Sequence, residues 1–361
     1  MARTELKYVI FFSVLLLGSL CQSSCVDSIN LTLEDTQEFL VVDGDFSTSG
    51  RPHQLSLYYA TGQRTVARRP VEGATVTLVG ESGEQEDYVE LGNGMYELQG
   101  TEIQGQTGKS YQLTFQLSDG QSYESVPDVM PTKIDGDSIF FDYTFFEEVN
   151  PTGVIRRPQI EAYVATPLPA GNQDYWMKWE VTTFYSFPEA DCGPFHVPII
   201  CYFASSLDQQ NVNLLSGDEI VTDYLPRWKV AEKLIPASDM EFRGRHYFLV
   251  NQQSITQAAH EYWRRINLIA NQTGSIFDAP PAAVPGNIRS LDNPDEVVLG
   301  FFELANTDSL RNFVTEGGFS EFYKFTNNVC ADLSNPFANN NRFCCACQRL
   351  ENATTQRPSW W

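Results

Sequence analysis

The chain has 361 residues and sets 24 Lys and Arg against 46 Asp and Glu, a formal charge of −22. It has no basic footprint with which to displace counterions from phosphate, which excludes nucleic acid as a partner. Its length exceeds one ordinary domain, and 24 Phe, 16 Tyr, 24 Gly and 19 Pro with alternating apolar runs exclude a long helical bundle in favour of a mainly β fold.

Residues 1–24 read as a lipoprotein signal peptide, with Arg3 and Lys7 ahead of an apolar run from Tyr8 to Leu20. That run is about 13 residues, short of the roughly 20 needed to span a bilayer. Two cysteines follow. Cys21 sits after the bulky Leu20, whereas Cys25 follows Ser23 and Ser24, small enough for processing. Cys25 is therefore the expected mature N-terminus, acylated through its sulfur, with simple secretion as the alternative. Each buried acyl CH₂ contributes roughly 0.8 kcal/mol, so two or three chains anchor a protein for practical purposes permanently.

Residues 25–36 form a polar stalk, and residues 37–128 read as a first β-sandwich of immunoglobulin or transthyretin type. "FLVVDGDF" (Phe39–Phe46) is a strand entering an Asp-Gly turn; "GATVTLVG" (Gly73–Gly80) and "GMYELQG" (Gly94–Gly100) are further strands. Between two alternating runs, "SDGQ" (Ser118–Gln121) predicts a hairpin. "VPDVMPTKIDGD" (Val126–Asp137) is taken as a linker. A second β-sandwich-like domain is expected over 129–329, with strands in "SIFFDYTFF", "QIEAYVAT" and "DYWMKWEVTTFYSF" (Asp174–Phe187). In the last, Tyr175, Met177, Trp179 and Val181 share one face, and Trp176, Lys178, Glu180 and Thr182 the other. One packed helix is expected near 254–272, with Ser254 and Gln257 in capping-box positions and apolar residues at helical spacing. Residues 330–361 form a Cys-rich tail ending in Trp360–Trp361.

The six later cysteines, Cys192, Cys201, Cys330, Cys344, Cys345 and Cys347, form an even set behind an export signal and read as disulfides. Cys192 and Cys201 flank "GPFHVPII" and are the expected first pair; the other four allow three pairings. A soft-metal site is the alternative, weakened by one isolated and three crowded ligands. "HEYWR" (His260–Arg264) lacks the second histidine of a zinc-protease helix, and His260 reads as a helix-surface residue. Asp43 and Asp45, like Asp135 and Asp137, hint at calcium but lack the twelve-residue loop, so turn chemistry explains them. Trp176, Trp179 and Trp228 are expected in the core. No catalytic constellation, cofactor site or metal site is recognised.

The lead-in "CVDSINLTLEDTQEFLVVDG", the block "GATVTL…GMYEL…YQLTFQLSDGQSYES" and above all Ser254–Phe302 ("SITQAAHEYWRRINLIANQTG…VVLGFF") resemble the Bacteroidota lipoproteins of domain-of-unknown-function family 4249. The ending "CCAC" (Cys344–Cys347) is also similar. The resemblance implies an outer-membrane lipoprotein acylated at Cys25, associated with a TonB-dependent receptor in nutrient uptake, and supplies no catalytic residues. Only Asp27 stands where some surface lipoproteins carry an acidic run, so the facing of the membrane stays open. The expectation is a non-enzymatic accessory ligand-binding component without a cofactor. A structural or adhesive surface lipoprotein, or one capturing metal through the C-terminal cysteines, is the alternative.

Overall fold

The computed structural model describes residues 38–50, 52–61, 68–151, 153–192, 194–207, 211–271, 283–325, 330 and 344–361. The leader, Cys25 and the stalk lie outside them. In chain order come β1 (Glu38–Ser47), β2 (His53–Thr61), β3 (Arg69–Pro70), β4 (Thr75–Gly80), β5 (Gln85–Asp87), β6 (Val89–Gly92), β7 (Met95–Leu98), β8 (Ser110–Gln116), β9 (Ser122–Ser125) and β10 (Asp128–Val129). β11 (Ser138–Asn150), β12 (Gly153–Pro167), β13 (Trp176–Pro188), β14 (Ile200–Ser206), β15 (Asn213–Ser216), β16 (Tyr224–Leu234) and β17 (His246–Ile255) then lead into helix α1 (Gln257–Asn271). β18 (Ile288–Ser290), β19 (Leu299–Val314), the short helix α2 (Glu316–Phe319) and β20 (Ala353–Thr354) follow among the described residues. The mainly β expectation holds.

The strands follow from period-two patterning. In β8, Tyr111, Leu113 and Phe115 are buried while Ser110, Gln112 and Thr114 are not, because successive side chains point to opposite faces. The hairpin from β8 to β9 turns at Ser118–Gln121 as expected. Gly120 takes φ 95°, and its N–H donates to the Leu117 carbonyl at 2.9 Å while Leu117 N–H donates to Gln121 at 2.8 Å.

Three sheets form. The largest has 11 strands, running β20-β14-β13-β17-β19-β1-β2-β7-β6, with β15 also on β13 and β3 on β2. Its centre is the parallel pairing of β1 with β19, from Val41↔Leu299 to Ser47↔Ala305. Strands from both sides of residue 128 therefore share one sheet. A six-stranded sheet (β18-β9-β8-β4-β5, with β10 on β8) and a three-stranded sheet (β11-β12-β16) stack on it.

β19 shows how the layers are arranged. Phe302 and Leu304 enter the first core with Val42, Leu57, Tyr96 and Leu113; Leu310 and Val314, on the same side, enter the second with Trp179, Phe248, Ile160 and Val164. Both small sheets thus cover one face of the large sheet, side by side. Phe301 and Ala305, on the opposite side of β19, pack with Ile255, Ala259, Tyr262 and Trp263, so α1 covers the other face. Each fully buried Leu or Phe contributes about 1.5–3 kcal/mol, and the alternation in β19 directs those contributions into two layers at once.

Two local expectations are corrected. Asp43-Gly44-Asp45 is no turn; it lies inside β1. Gly44 is there because a Cβ would come within 2.5 Å of Leu55 Cδ1 on the neighbouring strand, and the two aspartates flanking it share the α1 side of the sheet. The helix starts at Gln257, and its first turn is capped by Thr256, whose Oγ1 accepts from Ala259 N–H at 3.3 Å. Ser254 still belongs to β17, which pairs through Ile255 with Trp176 and Ala305; its hydroxyl accepts from Ile134 N–H instead. The ladder on both sides of β17 holds Ser254 extended and postpones the helix.

Candidate functional site

Of the three tryptophans expected in the core, Trp179 is buried there, while Trp176 and Trp228 are half-buried at its edges. Trp179 donates to Gln252 and packs at 5.8 Å from Trp228; Trp176 packs beside α1. His260 does not sit on the helix surface: it is 7% exposed, and burial lowers its pKa. The helix register turns His260 and Ala259 together toward the sheet.

All six later cysteines form disulfides, but the expected Cys192–Cys201 pair does not form. Cys192 joins Cys345, Cys201 joins Cys347, and Cys330 joins Cys344, with Cα–Cα separations of 5.9, 6.0 and 5.8 Å, within the usual span of a disulfide. The physical reason is Glu189. Its carboxylate accepts from Ile199 N–H at 3.2 Å, contacts His196 Nε2 at 3.0 Å and accepts from Cys347 N–H at 2.7 Å. Hydrogen bonds thus hold the 189–199 loop, and the two sulfurs are left to pin the C-terminal tail. Paired sulfurs offer no thiolate to a metal. Beyond them the tail adds β20 to β14 and lays Trp360 and Trp361 against Phe184, Tyr247 and Tyr202, with Arg311 over Trp360.

The site that sequence reasoning missed lies under the N-terminal half of α1. Five neighbouring strands present polar side chains on that face: Lys178 and Glu180 from β13, Gln253 from β17, Glu303 from β19, Asp43 and Asp45 from β1, Gln54 and Ser56 from β2. Together with Trp263 they line a recess of about 280 Å³. An adjoining hollow of about 370 Å³ shares Asp43, Trp263 and Phe301 and adds Tyr58, Tyr262, Val41 and Leu299.

At its floor Lys178 and Glu303, 4% and 3% exposed, form an ion pair with Nζ 2.6 Å from Oε1. Lys178 also reaches Glu180 at 3.1 Å and lies 5.0 Å from the Trp263 ring centre. The second Glu303 oxygen accepts from the Trp263 indole N–H at 2.6 Å. Burial works to lower the Lys178 pKa, but the two carboxylates outweigh it and keep the ammonium protonated, well above the usual lysine range. Burial raises Glu303, against the opposing pull of Lys178 and the indole. Asp43 is reached by solvent through the mouth yet ringed by protein; this crowding raises its pKa, with Lys178 and Arg68 pulling the other way. Burial lifts Tyr262 to about 12.

Gln253 is 1% exposed, and its Oε1 has no hydrogen-bond donor among the described residues. An unpaired buried acceptor costs about 1–3 kcal/mol. Among those residues no group of three His, Cys, Asp or Glu is arranged to hold a metal ion. A wider groove of about 710 Å³ runs between β12, β15 and β16, but its charges, such as Lys229 and Glu232, are a solvated pair.

Fold and site together define a mainly β protein, sandwich-like, with a charged recess roofed by one helix. The chain matches the family described as Domain of unknown function (DUF4249) over residues 26–311, and it belongs to that family. No curated protein and no solved structure matches it.

Proposed function

We propose that this protein is a non-enzymatic lipoprotein of the Bacteroidota outer membrane that binds a small ligand as the accessory of a TonB-dependent receptor. The observation that carries the binding part is the recess: a buried ion pair, an orphaned acceptor and aromatic walls set on rigid strands, where a site is held more precisely than on loops. Anchorage is supported by the order of residues at the N-terminus, an apolar segment of sub-membrane length ending in Ser23-Ser24-Cys25. No helix of the described residues is long and apolar enough to cross a membrane. Acyl chains on Cys25 would supply the attachment, and the receptor would supply energised transport.

Affinity purification of the full chain from detergent-solubilised outer membrane tests the reading. Recovery of a TonB-dependent receptor is the expected result, and its absence under conditions that preserve other envelope complexes contradicts it.

A second reading, a structural or adhesive surface protein, is supported by the β11–β12 hairpin. β16 pairs with β12 only from Gln159 onward, so the hairpin tip overhangs and exposes Val149 (80%), Val154 (58%) and Ile155 (43%). Unchanged nutrient uptake with altered attachment in a deletion strain would favour that reading over the first.

A further inference from the structure

We infer that the recess takes an organic cation ending in a primary ammonium or guanidinium group; this rests on the proposed binding function and names the chemistry of its ligand. The carboxylates of Asp43, Glu180 and Glu303 line the recess, against the ammonium of Lys178 within it and the guanidinium of Arg68 near Asp43. Lys178 is already engaged by Glu303 and Glu180, which leaves Asp43 without that ammonium as a direct partner and the recess with an excess of negative charge.

The second observation is independent of charge. Gln253 lies opposite Lys178 in the β13–β17 ladder, is almost wholly buried, lines the recess, and has an Oε1 that meets no donor among the described residues. An acceptor in that position selects a ligand that brings N–H groups. An anion would face the carboxylates of Asp43, Glu180 and Glu303, and a metal ion would need a ligand set that the described residues do not assemble.

The neighbouring hollow fixes the rest of the ligand. Trp263 and Phe301 belong to both spaces, and Tyr58, Tyr262 and Leu299 continue the wall. A cationic head beside Asp43 would place an alkyl chain along these rings, where cation–π and apolar contact add to each other, while Gln253, six register positions further along β19 and on its other side, stands ready for an N–H group at the opposite end of the recess. Each space lies near the lower end of the roughly 300–1,000 Å³ usual for small-molecule sites, which suits a short diamine or guanidinoalkyl amine.

Calorimetry on the full mature chain tests this with putrescine and agmatine, against 1,4-butanediol and succinate as neutral and anionic probes of matched length. The expected result is saturable one-to-one binding of at least one of the two cations, weakening as salt is raised, with no binding of butanediol or succinate. Asp43→Asn, at a solvent-reached position, is expected to keep its unliganded melting temperature and to lose about tenfold or more in affinity, as loss of a charge-assisted contact does. Gln253→Leu is expected to keep the fold and weaken binding as well. Failure of both cations to bind, equal binding of butanediol or succinate, or unchanged affinity in Asp43→Asn overturns the inference. Receptor recovery without cation binding overturns the ligand chemistry alone, whereas cation binding without a receptor overturns the proposed partnership and supports the ligand chemistry.

Discussion

Replacing Lys178 by Met removes one half of the ion pair beneath α1 and leaves the other in place. Lys178 Nζ stands 2.6 Å from Glu303, and both residues are under 5% exposed, so the loss belongs with buried pairs, where removing one partner costs about 3–5 kcal/mol. The Trp263 indole still donates to Glu303, and one hydrogen bond to a charged group is worth about 1.5–3 kcal/mol. The expected deficit is therefore near the lower end, about 3 kcal/mol at pH 7, read as a fall of about 1 M or more in the urea midpoint. In Lys178→Met/Glu303→Leu both charges are gone, and the expected deficit is smaller than that of the single change, about 1–2 kcal/mol, because buried pairs replaced by apolar residues are often near neutral.

The pH dependence has a definite sign. In Lys178→Met, Glu303 is buried without a cation, so its folded pKa, already raised by burial in the parent, rises further above the unfolded value and the folded state binds a proton that the unfolded state releases. Stability then falls as pH rises above the ordinary carboxylate range, about 4.3, and the gap to the parent protein widens. Urea denaturation of the single and double variants across pH 4–8 is the assay. A single-variant deficit below about 1 kcal/mol, or a double variant worse than the single, would refute the reading of Lys178 and Glu303 as a desolvated, mutually dependent pair.

Further predictions follow from the same structure. Non-reducing peptide mapping is expected to recover the linkages Cys192–Cys345, Cys201–Cys347 and Cys330–Cys344; a Cys192–Cys201 fragment would show the tail to be held otherwise. Substituting both Cys201 and Cys347 by Ser is expected to cost about 2–4 kcal/mol and to shift the emission of Trp360 and Trp361, which sit on the same tail. Glu86, 8% exposed, accepts from the N–H groups of Thr101, Glu102 and Ile103; burial works to raise its pKa, but these bonds outweigh it and hold the group below its usual value. Its contribution is thus present above the ordinary carboxylate range and lost as pH falls through the lowered value. Glu86→Gln should cost about 1–2 kcal/mol at pH 7, with thermal melts of variant and parent converging in acid. Gly300 has φ 84°, and a Cβ there would lie 1.9 Å from the Val42 carbonyl oxygen; Gly300→Ala should lower the melting temperature sharply or prevent folding, and a melt within a degree or two of the parent would show that β1 and β19 do not meet as described.

The sequence exposes the strands and hides their partners. Alternation in "SYQLTFQ" sets which residues of β8 are buried, and Ser118–Gln121 sets its turn, because both signals are local. The pairing of β1 with β19 joins residues more than two hundred positions apart, and no periodicity in "FLVVDGDF" or "LGFFELAN" specifies it. The Asp-Gly pair in β1 shows the same limit: the glycine looks like a turn residue until Leu55 is found opposite. The helix was legible, yet its first residue was not, since Ser254 has good capping chemistry but is claimed by two neighbouring strands.

The recess had one legible trace. Glu303 stands in an apolar run between Phe302 and Leu304, and a charge in such a run needs a buried partner. Lys178, on the face of an alternating strand opposite Met177 and Trp179, is that partner, but only the crossing of α1 over the sheet makes the face an interior. The disulfide pairing was hidden for a similar reason: proximity in sequence favoured Cys192 with Cys201, while Glu189 closes that loop without sulfur.

Intact-mass analysis of the protein extracted from native outer membrane tests most directly whether this recess operates at a lipid surface. The expected species begins at Cys25 and carries two or three acyl chains on that residue. A chain that begins elsewhere, carries no lipid and is recovered in the aqueous fraction would contradict the placement at the membrane and the receptor partnership built on it.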